Sequence, residues 1–406
     1  MLTVGNGLYS VLTPAISYYS PESTPIFRGY VEEAGAYVDD AGLVRVLAAA
    51  AVFQLVCCVV ALCGGRFAYK RKEQAYGQNE YLSAAIAVGW VLMLIGVIGV
   101  VGLGLSYNEK VFGLYQIAYA ERSPFFRDHG GYAFLLLLGM YGASQLIATY
   151  ILTGHVRRAF VILLLVMLHG IGVKSKFPIF WILVVFFSAA LGGRINMRKL
   201  MIPFFGGILI LFSMSVFRAV VDAQGLDDYI EASQESSVHY WENDIPGPAS
   251  ITYFLMNDID LEYTITPLLE VPKLLVPRFF SDRGDVLPEI WAAKMLGYDY
   301  EVGMGYGWSL LCDGYLLGGL AGVAFLAYLM AKVARLIRDV AGNCDGRDRV
   351  YRFVVMYACM PLFLLGLRES FAGLIKALII IAVMVWIPTV LIARRKRLQG
   401  VRGGLS

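Results

Sequence analysis

Six basic residues stand out by where they fall. Arg278 and Arg283 lie in VPRFFSDRGD, within a stretch otherwise dominated by Asp and Glu. Arg218 closes an apolar run, Arg368 sits in the short turn of LRESF between two apolar runs, and Lys174 and Lys176 share another such turn, KSKFP. An Arg guanidinium grips phosphate oxygens with a planar fork, and a Lys ammonium meets them as a point charge. Cations of both kinds brought together from separate segments would make a pocket able to hold a pyrophosphate. Taken singly, each also fits a side chain that snorkels to lipid headgroups or pairs with a nearby carboxylate. Asp313, between GMGYGWSLLC and GYLLGG, falls one to two turns inside an apolar run. An ionisable residue in such a place is a candidate for function, and a helix-packing hydrogen bond is its plainer explanation. Glu369, adjacent to Arg368 in the sequence, reads as its salt-bridge partner.

Further groups could move protons or hold metal. His239 and His129 lie in polar connections and His169 near the end of an apolar run. A His facing a sugar hydroxyl could take its proton, although a surface His without a role is the commoner case. Asp258 and Asp260 in NDIDLE form a DxD-like pair, a spacing expected by chance in so acidic a stretch. There is no P-loop, no HExxH helix and no GxSxG elbow. Cys57, Cys58, Cys63, Cys312 and Cys359 sit in apolar runs and Cys344 in a basic connection, with no CxxC and no Cys/His cluster of zinc type. These thiols read as buried hydrophobes, and no metal and no cofactor are expected.

The elements that must position these residues are apolar helices. The 406 residues are 58% hydrophobic and 16% charged, against roughly 25% charged in soluble domains. The charges cluster between long apolar runs, and 82–105 (LSAAIAVGWVLMLIGVIGVVGLGL) has no polar face at all. About 20 such residues cross ~30 Å of hydrocarbon. Apolar spans are expected at about 2–19, 43–63, 82–105, 132–152, 157–173, 177–193, 199–218, 308–331, 351–367 and 371–393. The expected fold is therefore an all-α polytopic membrane protein of about ten transmembrane helices. The spans at 157–173 and 177–193 are short enough to form a hairpin that does not cross fully. The basic n-region of a cleavable signal peptide is missing, the first Lys or Arg being Arg28.

Charge orients these spans. Alternate connections carry Arg66, Lys70, Arg71 and Lys72, then Arg157 and Arg158, then Arg194, Arg198 and Lys199. The series continues through Lys332, Arg335, Arg338, Arg347, Arg349 and Arg352 and ends with Arg394, Arg395, Lys396, Arg397 and Arg402, in all 20 of the 34 Lys and Arg. The positive-inside rule assigns that side, with both termini, to the cytoplasm. Three regions follow: membrane helices over 1–218, a large outer loop over 219–307, and membrane helices with a basic tail over 308–406. The loop has 89 residues, with 16 Asp and Glu against four Lys and Arg. Its apolar stretches, ITYFLMNDI and PLLEVPKLLVPRFF, read as amphipathic helices that lie on the membrane or cap a cavity. Matched halves of the kind found in inverted-repeat transporters are not evident.

The stretch from Pro272 to Gly322 resembles the oligosaccharide repeat-unit polymerases, the Wzy-type O-antigen polymerase family. The likeness is carried by a Pro-Arg element followed by a basic residue (VPRFFSDRGD), then by a Gly-rich stretch with an acidic residue at the head of a helix (GMGYGWSLLCDGYLLGGLAG). LRESFAGL and KSKFP are similar too. The sequence departs from the family in having Arg283 where a Lys is common, and in lacking an Arg-x10-Gly element in its outer loops.

The resemblance implies a GT-C-like architecture and a metal-independent glycosyltransferase in the bacterial inner membrane. A growing chain on undecaprenyl pyrophosphate would pass to a lipid-linked repeat unit at the periplasmic face. Arg218, Arg278, Arg283, Arg368, Lys174 and Lys176 would hold the pyrophosphate, and Asp313 or His239 would take the hydroxyl proton. Its partners would be undecaprenyl-pyrophosphate-linked oligosaccharides, membrane lipids and a chain-length regulator protein, with no nucleic acid. An O-antigen ligase and a lipid-linked oligosaccharide flippase are the alternatives.

Overall fold

The computed structural model describes residues 40–63, 78–117, 125–126, 128–173, 175–192, 246–258, 260–276, 286–296, 308–342 and 370–403, with positions 206, 209 and 213. The regular secondary structure of the described residues is all helical, with no strand. In chain order the helices are α1 (Asp40–Cys63), α2 (Gln78–Asn108), α3 (Gly130–Leu152), α4 (Val156–Gly172) and α5 (Lys176–Gly192). After them come α6 (Pro246–Asn257), α7 (Thr266–Leu275), α8 (Leu287–Leu296), α9 (Leu310–Gly342) and α10 (Phe371–Gly403). Five stretches are long and apolar enough to cross a membrane: Val44–Cys63, Tyr81–Asn108, Gly130–Leu152, Leu310–Ile337 and Phe371–Ile392. The chain is a helical membrane protein. The expected spans at 2–19 and 351–367 lie outside the described residues, as does all but three positions of 199–218.

α3 is the centre of the bundle. Every residue from Met140 to Ile151 is buried, with α2, α4 and α5 packed around it. Its polar side chains are satisfied internally, as hydrocarbon demands. Ser144 donates to Met140 O and accepts the Trp181 indole N–H of α5, Gln145 donates to Ala85 O of α2, and Thr149 donates to Gln145 O. Gly154, at φ +77°, stops the helix. Its N–H returns to Ile151 O and that of His155 to Tyr150 O, which caps the carbonyls left open at the helix end. α4 then starts after a three-residue link, Thr153, Gly154 and His155. α4 and α5 have 17 residues each, about 25 Å of helix. They pack against each other as a helical hairpin.

Lipid-facing surfaces follow from the same composition. Leu62, Leu94, Ile98, Val161, Leu168 and Trp386 are exposed on α1, α2, α4 and α10. Apolar surface of this extent would be a liability in water and is ordinary in a bilayer.

The loop helices divide. α6 packs on α1, α8 and α9, with Thr252, Tyr253, Leu255 and Met256 buried. α7 is amphipathic as expected, packing on α10 and α9 with Pro267 and Glu270 buried while Ile265 and Leu269 remain exposed. α9 is two helices joined at Gly318–Gly319, whose backbone is non-helical. The bend is sharp. A methyl on Gly314, before it, would lie 2.7 Å from Val323 Cα, after it. Gly319 takes φ +60°, which a residue with a side chain adopts at a cost. Thr264, from the loop, donates its N–H to Leu316 O at the same bend.

Candidate functional site

Several helix ends meet at one end of the bundle. The start of α1 is tied to the end of α6 by Arg45 Nη1 donating to Asn257 Oδ1 at 3.2 Å. Lys376 near the start of α10 stands 5.9 Å from the Phe134 ring near the start of α3. Tyr115, after α2, meets His169 near the end of α4 at 3.2 Å. These are the helix ends that the charge pattern places opposite the basic connections.

At this end the start of α9, the loop helices and the start of α10 enclose a buried polar cluster. Asp313 is 1% exposed. Its Oδ1 accepts the indole N–H of Trp308 at 2.8 Å, and its Oδ2 accepts the backbone N–H of Phe371. Phe371 opens α10, so this N–H is among the first-turn donors that a helix cannot satisfy itself. Ser370 supplies the usual cap beside it, its Oγ accepting the Gly373 N–H at 3.1 Å. A carboxylate is also the charge that a helix N-terminus favours. Thr252 of α6 meets Ser309 Oγ at 3.0 Å and Cys312 Sγ at 3.3 Å, stitching the loop to the same turn.

Glu270 is the second buried acid, 3% exposed. Its Oε1 accepts the backbone N–H of Leu287, the first residue of α8, at 2.7 Å. Burial pushes its carboxyl above the usual range and neighbouring Glu289 adds to this, while the Leu287 N–H and Lys273 pull the other way. The bond joins the two sides of the segment that carries Arg278 and Arg283.

The residues expected to do chemistry are unevenly placed. Asp313 is at the centre of this cluster. Lys176 is the first residue of α5. Arg218, His239, Arg278, Arg283, Arg368 and Lys174 lie outside the described residues. His169 faces Tyr115, and His129 Nδ1 meets Phe125 O at 3.0 Å. Asp258 makes an ion pair with Lys294 and accepts the Asp260 N–H at 3.2 Å, so its carboxylate serves a local turn. Among the described residues no three His, Cys, Asp or Glu side chains group as metal ligands would.

Sequence reasoning passed over Glu270, Trp308 and Lys376. Glu270 had no signal, being one of 16 acids in its loop. Lys376 had one, a charge within the apolar run LIKALIIIAV. Arg335, counted among the residues of a basic connection, is buried within α9.

Compared with family models, with curated proteins and with solved structures, the chain matches none.

Proposed function

We propose that this protein is an oligosaccharide repeat-unit polymerase of the Wzy type, with about ten spans, a GT-C-like arrangement and both termini in the cytoplasm. It transfers a glycan chain from undecaprenyl pyrophosphate onto a lipid-linked repeat unit at the periplasmic face of the inner membrane. The leaving group carries the charge, so the main catalytic demand is a set of fixed cations at the departing pyrophosphate. Arg218, Arg278, Arg283, Arg368, Lys174 and Lys176 are that set. The acceptor hydroxyl needs only a weak base, for which His239 and Asp313 are the candidates.

One observation carries this reading. Two buried acids hold the starts of helices that follow arginine-bearing stretches of the sequence: Glu270 binds Leu287, and Asp313 binds Phe371. The deciding experiment is deletion in a strain that makes smooth lipopolysaccharide. A polymerase defect leaves a single repeat unit on the core. Core with no repeat unit would point to a ligase, and substrate trapped on the cytoplasmic side to a flippase.

A further inference from the structure

α7 has 10 residues, about 15 Å of helix and too short to cross a bilayer. Packing settles one of its faces: Pro267 and Glu270 are buried, and the helix lies on α9 and α10. The opposite face is apolar as well. At 3.6 residues per turn, Ile265, Leu269, Pro272 and Val276 fall in one stripe along α7 and its flanking residues. All four are exposed, Ile265 by 62% and Leu269 by 54%. A helix lying on a protein in water would carry polar residues there.

The two borders of this stripe differ. One position after Ile265 and Pro272 come Thr266 and Lys273, on one side. One position before Leu269 and Val276 come Leu268 and Leu275, on the other. The members of each pair are seven residues apart, about two turns, so each border runs parallel to the helix axis. A helix that entered the membrane end-on would instead change polarity from one end to the other. Polar along one side and apolar along the other is the pattern of an axis lying in the plane of a membrane surface. Lys273 is exposed. Its long stem lets the ammonium reach lipid phosphate while the stripe beside it stays in an apolar layer. The helix under α7 points to the same occupant. α10 is long and apolar enough to span a membrane and turns Ile379, Val383 and Trp386 outward.

We propose that α7 is an in-plane interfacial helix. Its Ile265–Leu269–Pro272–Val276 stripe rests on the acyl chains of the leaflet beside the large loop, and Lys273 meets lipid phosphate. The middle of that loop is thereby tied to the bilayer surface. Nothing in this depends on which reaction the protein catalyses.

The test uses full-length protein in nanodiscs of phosphatidylcholine and phosphatidylglycerol. The photoreactive amino acid p-benzoylphenylalanine is placed in turn at Leu269, at Val276 and, as a lipid-facing reference, at Trp386. On irradiation all three are expected to gain the mass of a lipid. Hydroxyl-radical oxidation of the unaltered protein should spare Ile265 and Leu269, and a water-soluble acetylating ester should modify Lys273. Leu269→Asp, which puts a charge in the stripe, should raise amide hydrogen exchange through α7 about tenfold as local opening becomes easier. Thr266→Asp, on the polar border, should leave it unchanged.

Absence of lipid adducts at Leu269 and Val276, with adducts present at Trp386, would overturn the proposal. Oxidation of the stripe would then mark a water-facing surface, and a cross-linked band of twice the protein mass would mark a second copy of the chain. An unmodified Lys273, or equal exchange in Leu269→Asp and Thr266→Asp, would overturn the in-plane orientation.

Discussion

Gly96 of α2 and Gly139 of α3 meet backbone to backbone: a methyl built on Gly96 would lie 2.6 Å from the Cα of Gly139, and the reverse holds equally. Between helices in lipid there is little hydrophobic drive, so close approach through small residues supplies the dispersion contacts. Gly89, Gly99 and Gly142 continue the seam, each leaving too little room for a side chain.

Gly96→Leu should therefore force α2 and α3 apart. We expect a loss of about 1–3 kcal/mol, the usual range for overpacking, read as a lower midpoint of thermal unfolding in detergent micelles. Gly154→Ala meets open space and suffers only from its positive φ, for about 1 kcal/mol. Equal effects of the two would mean that the seam is loose.

Topology reporters test the side assignment. Fusions at Ala75, Asn196 and Gly342 are expected to report cytoplasm, and fusions at Asp40, Arg127 and Ser236 periplasm. The asymmetry of basic connections motivates this. A cytoplasmic signal at Ser236 would move the large acidic loop, and the proposed active face with it, to the wrong side.

Arg278→Ala should abolish long-chain polymer while the protein inserts at normal levels. A charge-assisted contact made chiefly in the transition state is worth roughly 2–4 kcal/mol, or about 30- to 1,000-fold in rate. Arg278→Lys keeps the charge without the fork and should recover only a small part. Arg66→Ala, in a basic connection, should be harmless. Wild-type polymer from Arg278→Ala would make that arginine a membrane anchor and shift the pyrophosphate site toward Arg218 and Arg368.

Polymerisation by purified protein should proceed in EDTA as well as in magnesium. The motive is the proposed set of arginine and lysine residues, which would neutralise a departing pyrophosphate without a metal. Activity lost on chelation and restored by a divalent ion would bring Asp258 and Asp260 into the mechanism.

Glu270 gives a pH signature. Its carboxyl is raised above 4.5 in the folded protein, first by burial. A raised carboxyl binds its proton more tightly when folded, so its contribution to stability is full below about 4.5 and is lost as pH rises through the folded value. Glu270→Gln keeps the oxygen that Leu287 needs and carries no charge. It should raise the unfolding midpoint at pH 8, with the gain shrinking toward zero below about pH 4.5. A gain that does not depend on pH would show that ionisation of Glu270 is not what burial penalises.

Much of this protein is legible in its sequence because lipid is an exacting solvent. Uninterrupted apolar runs such as 82–105 can only be helices, since hydrocarbon offers no partner for backbone N–H and C=O. The expected runs at 43–63, 82–105, 132–152 and 371–393 accordingly appear as α1, α2, α3 and α10, the first three with ends shifted by a few residues and α10 continuing to Gly403. Asp313 was likewise conspicuous, a charge where the solvent penalises charge. What remained hidden depended on contacts distant in the chain. Nothing local distinguishes Glu270 from the 15 other acids around it, because burial is a property of what packs on α7. The GG pair at 318–319 reads as one more flexible spot in an apolar run, and only the packing of Gly314 against Val323 turns it into a corner. The partner of Asp313 is the N–H of Phe371, 58 residues away. A backbone donor has no letter in the sequence, so a carboxylate bound to one can be assigned only once the helices are assembled.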